Sequence, residues 1–144
     1  MNLLTQALIY ATLKHDGQPD KANKAYILHP LRVMSRFDDE KEQVTALLHD
    51  VMEDCNVKPE ELLAMNFPKD VVDALILLTH QENDPYDEYI ARILKNELAC
   101  KVKLADLEDN MNLERLPVVE EKDLKRLRKY QKAHKRITER NKLD

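Results

Sequence analysis

An all-α fold is predicted by three features of this sequence. Apolar residues recur at three- and four-residue spacing in segment after segment, which is the period of a helix face. The β-branched residues never fall into the alternating runs that strands need. Only one glycine, Gly17, occurs in 144 residues, and the six prolines mostly sit at segment starts. Hairpin-rich and doubly wound folds lean on glycine turns and are disfavoured. The length suits one domain, spanning 1–144, and a 43% apolar fraction supports a sizeable core.

Leu3, Leu4, Ala7, Leu8 and Ala11 predict a first helix that stops near His15–Gly17, where glycine ends helices readily. Residues 18–28 lack an apolar period and read as a loop. Pro30 opens a short helix with Leu31, Val33 and Met34. Asp38 or Asp39 caps the next, whose Val44, Leu47, Leu48 and Val51 share a face. Pro59 and Pro68 open helices over 59–65 and 68–81, and Pro85 opens one reaching Asn96. Another covers 97–111. Pro117 then marks the start of a basic C-terminal segment, 117–144, whose helix would dock through Leu124, Leu127, Tyr130, Ala133, His134 and Ile137. Seven or eight helices with no sheet are expected.

Charge and cysteine content exclude several classes. Residues 1–121 carry 13 Lys and Arg against 24 Asp and Glu, whereas 122–144 carry 10 against 3. A body with net charge −11 is no chain-wide nucleic-acid binder, so nucleic acid is an unexpected partner, and the +7 tail reads as a solvated helix complementing that body. One glycine rules out a GxGxxG or GxxxxGK phosphate loop. Cys55 and Cys100 form neither a CxxC pair nor a disulfide framework, and no apolar run approaches 18 residues. The start MNLLTQALIYATLKHD has no basic segment before its apolar stretch and reads as a mature N-terminus. A cytoplasmic protein with no membrane partner is the expectation.

The informative anomaly is LLHDVMEDC, residues 47–55, read as the middle of a helix. His49, Asp50, Glu53 and Asp54 stand three or four positions apart and share one side. Three carboxylates so spaced repel one another, and desolvating them without compensation costs stability. A divalent cation resolves the conflict; an acidic run on a wetted helix face is the alternative. In KVKLADLEDNM, residues 101–111, Asp106, Asp109 and Asn110 interrupt an apolar surface, and Asp106 and Asn110 lie one turn apart. His15 closes the first helix, where it can serve as a ligand or simply cap the helix dipole. Two imidazoles and two carboxylates make a ligand set for Mn²⁺, Fe²⁺ or Zn²⁺.

These segments, in order, resemble the HD-domain metal-dependent phosphohydrolases, and among them the hydrolase domain of the RelA/SpoT proteins and their small stand-alone relatives. The resemblance runs through ATLKHDGQ (11–18), YILHPLRV (26–33), ALLHDVMED (46–54), FPKDVVDALILLTH (67–80) and VKLADLEDNM (102–111), and leaves the tail helix uncovered. It implies a compact helical HD-domain fold with a central metal site. It also implies a metal held by His15, His49, Asp50 and Asp106, with Glu53 and Asp54 aligning and activating the attacking water. Lys21 matches a basic residue near the substrate phosphates, Asn110 an Asn on the nucleotide sugar, and His29 a structural histidine of the HP element. Two stretches depart from the pattern. The family's RKxGxPY is Asp20, Lys21, Ala22, Asn23, Lys24, Ala25, Tyr26, so an aspartate replaces the arginine that stacks on guanine. KLADRLHNMRT has become KLADLEDNMNL, with Asp109 for His.

The resulting expectation is metal-dependent hydrolysis of a nucleotide phosphoester or pyrophosphate ester, with guanosine 3′,5′-bis(diphosphate) 3′-diphosphatase as its most specific form. One Mn²⁺ is expected, with Fe²⁺ or Zn²⁺ as alternatives. Lys21, Lys24, Lys101 and Lys103 offer partners to phosphates and Tyr26 a ring to a base. Asp20 places a negative charge near an anionic substrate, so hydrolysis of a smaller or less charged nucleotide at least as well as of the alarmone is expected. A non-catalytic nucleotide-binding or regulatory HD domain is the alternative, and a homodimer is left open.

Overall fold

The computed structural model describes residues 1–142, so the last two residues of the predicted 117–144 segment lie outside it. Nine α-helices follow one another among the described residues: α1 (Leu3–Lys14), α2 (Leu28–Met34), α3 (Glu40–Leu48), α4 (Val51–Asp54), α5 (Pro59–Ala64), α6 (Lys69–Leu78), α7 (Tyr86–Ile93), α8 (Glu97–Asn110) and α9 (Glu121–Thr138). A 3₁₀ turn, Glu139–Lys142, ends the described chain. No strand occurs among these residues; Pro19 and Ala25 form one isolated bridge that pins the base of the 18–28 loop.

Most helix starts are written in the capping residues. Asn2 accepts from the Thr5 N–H at 2.8 Å, Asp39 from Glu42 at 3.1 Å and Asn96 from Ala99 at 2.8 Å. Pro59 is the first residue of α5, and Pro68 and Pro85 immediately precede α6 and α7. Gly17 takes φ +80° just after α1, a left-handed conformation glycine adopts without a Cβ penalty.

One predicted helix is two. The segment read as continuous through residues 47–55 breaks at His49 and Asp50, between α3 and α4. The Ala46 carbonyl accepts the His49 ring Nδ1–H at 2.6 Å and the His49 backbone N–H at 3.5 Å, so the ladder tightens to a three-residue step there. This break accounts for the difference from the seven or eight helices expected.

Two apolar clusters share α3 and α6 as their common wall. One joins Ala7 and Ala11 of α1 to Val44, Leu47, Val71 and Leu75. The other joins Ala46 and Ala74 to Ile90, Val102, Leu107 and Ile137, which brings in α7, α8 and α9. The tail helix docks as expected through Ala133 and Ile137, while Leu124, Leu127 and Tyr130 stay half-buried. No helix among the described residues is long and apolar enough to cross a membrane. The packing predicts that Leu75→Ala, at a fully buried position, lowers unfolding free energy by about 2–5 kcal/mol. Leu13→Ala, 70% exposed, should stay within about 0.5 kcal/mol; urea titration of both variants checks the contrast.

Candidate metal centre and active site

Three helices bring the chemistry together. His29 comes from α2, His49 and Asp50 from the break after α3, and Asp106 from α8. One ligand atom from each lies within 4.8 Å of every other. His29 Nε2 is 2.9 Å from Asp106 Oδ1 and 3.8 Å from Asp50 Oδ2. His49 Nε2 is 3.0 Å from Asp50 Oδ2 and 3.3 Å from Asp106 Oδ1. Neighbouring ligand atoms of an octahedral ion at about 2.1 Å stand about 3.0 Å apart, so the spacing fits a small divalent cation.

Both rings are turned for that task. His49 Nδ1 faces the Ala46 carbonyl and His29 Nδ1 faces Asp109 Oδ2, each at 2.6 Å. A carbonyl or carboxylate at Nδ1 places the proton there and leaves Nε2 as the inward donor. Burial works against charge on all four groups, yet opposite charges prevail. Both imidazoles lie above their ordinary range and Asp106 well below its own, while Asp50 falls to about 2 beside His49. The residues fit a divalent cation, which would take the place of the protons between two imidazole nitrogens and two carboxylates, with the Oδ2 of Asp106 already taken by Lys103 at 2.9 Å.

The set corrects the expectation in one member. His29, read from the sequence as structural, stands in the cluster, and His15 does not. His15 is buried at the end of α1 with its Nδ1 on Gln18 Oε1 at 2.8 Å. The ring of Tyr26 packs against both histidines, 5.0 Å from His15 and 5.7 Å from His29 between centroids. The Tyr26 hydroxyl donates to Asp50, and burial with the Asp50 charge keeps that phenol protonated. No local signal separates His29 from His15, because its place in the cluster depends on α2 packing against both α3 and α8.

The three carboxylates that repel in sequence are separated in space. Asp50 joins the cluster. Glu53 Oε1 accepts the His80 backbone N–H at 2.7 Å, and Asp54 Oδ2 accepts from Gln18 Nε2 at 3.2 Å. Burial raises both Glu53 and Asp54 above the usual carboxylate range, and the Asp50 charge adds to the effect.

A hollow of about 580 Å³ opens beside the cluster. Lys21, Tyr26, Glu53, Asp54 and Asn110 line it, and Asn110 Nδ2 donates to Asp106 Oδ1 at 3.0 Å. Lys24 is exposed and lies outside this lining, because the loop turns on Asp20, whose Oδ1 accepts the Ala22 and Lys24 N–H groups at 2.9 and 2.8 Å. Asn23 takes φ +61° where the resembling family has glycine. Lys101 pairs with Glu42 at 3.0 Å and is likewise absent from the lining. Composition alone did not reveal the far wall: Arg115, Arg126, Lys129 and Tyr130 reach it from the linker and α9, and Tyr86 and Tyr89 from α7. Lys21 and Lys129 both fall below the ordinary lysine range, through partial burial and the nearby Arg126 charge.

No protein-family model matches the chain. A GTP pyrophosphokinase of Myxococcus xanthus is 29% identical over 129 residues, taking in 77% of this chain and 17% of that protein. A guanosine-3′,5′-bis(diphosphate) 3′-pyrophosphohydrolase of Vibrio cholerae is 42% identical over 64 residues, 41% of this chain and 9% of that one. The chain thus spans under a fifth of the length of these curated relatives. A solved metazoan ortholog of SpoT, described as hydrolyzing ppGpp, superposes with a TM-score of 0.73 at 23% identity, covering 93% of this chain and 84% of that one. The chain shares the helical fold of that SpoT ortholog, and parts of its sequence are similar to guanosine-3′,5′-bis(diphosphate) 3′-pyrophosphohydrolases.

Proposed function

We propose that this chain is a metal-dependent phosphohydrolase acting on a nucleotide phosphoester or pyrophosphate ester, with guanosine 3′,5′-bis(diphosphate) as its leading substrate. One observation carries the reading: the four-donor cluster and a set of crowded cations border the same hollow. Lys21 and Lys129, whose charged forms are disfavoured by burial and by Arg126, regain favourable company when an anion enters. The relatives named for guanosine-3′,5′-bis(diphosphate) hydrolysis support the choice of substrate.

His29, His49, Asp50 and Asp106 would hold the ion, and Mn²⁺ suits this nitrogen and oxygen set in a phosphate-rich site. When bound there, such an ion supplies Lewis acidity toward a phosphoryl oxygen and lowers the pKa of a water. The chain's own groups do the rest. Glu53 has Oε1 tied to His80, which aims the carboxylate and leaves Oε2 to accept a proton from the attacking water. Its raised proton affinity favours that acceptance. The water oxygen bonds to phosphorus, the phosphorus–oxygen bond to the sugar breaks, and the sugar oxygen is protonated from solvent as Glu53 returns its proton there. Lys21, Arg126 and Lys129 neutralise the departing phosphates, and Tyr86 and Tyr130 offer faces to a base. Asp20, which also lines the hollow, has its Oδ1 committed to the Ala22 and Lys24 N–H groups of its own loop.

The test is a panel of nucleoside mono-, di-, tri- and bis-diphosphates assayed with Mn²⁺, with phosphate and pyrophosphate measured separately. Cleavage of the alarmone to pyrophosphate, lost with chelator and restored by Mn²⁺, is the expected result. Metal binding without cleavage of any panel member would favour a sensing domain instead. Glu53→Gln should keep the metal and lose about 10²–10⁴-fold in kcat, read by steady-state kinetics beside elemental analysis. His29→Ala should lose stoichiometric Mn²⁺, while His15→Ala should keep it, as titration calorimetry would show.

A further inference from the structure

Every member of the cluster is used by the proposed reaction, but one buried carboxylate beside it is not. Asp109 is 4% exposed on α8, one turn beyond Asp106, and both its carboxylate oxygens meet residues of α2. Oδ2 lies 2.6 Å from His29 Nδ1. Arg32, one turn after His29 on α2, grips the same carboxylate with Nε on Oδ1 at 2.8 Å and Nη2 on Oδ2 at 3.1 Å. Arg115 adds a bond to the Asp109 carbonyl at 2.9 Å. We infer that Asp109, clamped by Arg32, is the positioning residue that sets His29 as a metal ligand, fixing its tautomer and the direction of its Nε2.

The two imidazoles are held in different ways. The Nδ1 of His49 is held by the Ala46 backbone carbonyl, which every sequence possesses. The Nδ1 of His29 is held by side chains alone, so its orientation depends on residues 109 and 32. The bidentate guanidinium fixes the plane of the carboxylate and leaves Oδ2 aimed at the ring. An acceptor at Nδ1 retains the proton there, frees the Nε2 lone pair, and makes that nitrogen a stronger donor. Where the resembling family has a histidine, this chain has Asp109, and Arg32 stands at the spacing needed to hold it. The inference rests on the metal reading above, so the experiment separates the two.

Mn²⁺ affinity is measured by calorimetry for the wild type, Asp109→Ala, Asp109→Asn and Arg32→Leu, with far-UV circular dichroism confirming the helical fold. Asp109→Ala should bind Mn²⁺ about 10–100-fold more weakly. Asp109→Asn still offers an oxygen to Nδ1–H but loses the charged clamp, so it should fall between. Nitrogen-15 NMR of the Zn²⁺-loaded protein supplies a reading that a merely structural residue would not move. The His29 Nδ1 proton should be visible and slowly exchanging in the wild type, and broadened or lost in Asp109→Ala. Should Asp109→Ala fail to fold, Asp109→Asn and Arg32→Leu carry the comparison. Wild-type affinity and an unchanged His29 signal in the folded variants overturn the inference while leaving the metal site standing. A wild type that binds neither Mn²⁺ nor Zn²⁺ overturns both.

Discussion

The buried carboxylate of Asp106 is the constraint around which the rest of the molecule is arranged. It is 6% exposed, at the crossing of α2, α3 and α8. An uncompensated carboxylate there would cost several kcal/mol. Four partners surround it instead: the Nε2 atoms of His29 and His49 on the inner side, Asn110 one turn along its own helix, and Lys103 one turn back. Lys103 is itself buried, resting 5.2 Å from the Tyr89 ring centroid. The ammonium secures Oδ2 permanently. Oδ1 stays shared among weaker partners, which is the oxygen a cation would claim.

That arrangement explains why α8 carries polar residues on its buried side. Val102, Ala105 and Leu107 pack into the core while Lys103, Asp106 and Asp109 are equally enclosed. The helix is stable because each charge meets its opposite within the protein. Asp109 falls below the carboxylate range because His29 and Arg32 outweigh the effect of its burial. One helix therefore contributes a carboxylate to the cluster and a second carboxylate that holds another of its members, from positions one turn apart.

Much of this was legible in the sequence, for identifiable physical reasons. Helix identities followed from apolar period and from local stops, since Asn2, Asp39 and Asn96 cap by contacts only three residues long. His49, Asp50 and Asp106 stood out because polar residues interrupted apolar faces. The break at His49–Asp50 was hidden, because it depends on a ring bonding to a carbonyl of the preceding turn. The exchange of His15 for His29 was hidden for another reason. Both histidines neighbour Tyr26 in space, and which one faces α8 is decided by the crossing of α2, a tertiary fact without a local signature. Asp109 looked like a departure from a pattern, and only its distance to His29 gives it a role.

The tail helix shows how charge patterning can be right in sign and incomplete in consequence. The basic segment does complement the acidic body: Arg140, in the 3₁₀ turn after α9, meets Glu97 at 2.8 Å, and the His134 ring lies 2.9 Å from Glu108. Another face of the helix does something different. Arg126 contacts the buried Asp123 of its own first turn, and with Lys129 and Tyr130 it turns toward the hollow. Lys129 lies 4.6 Å from the Tyr86 ring centroid, so the wall combines cation and aromatic surface. Concentrating like charges near Lys21 raises the free energy of the empty site. The same repulsion turns into attraction for a phosphorylated ligand, because each added negative charge relieves several cations at once. A helix that its charge marks as solvated thereby supplies one side of a hollow whose other side holds the His and Asp cluster.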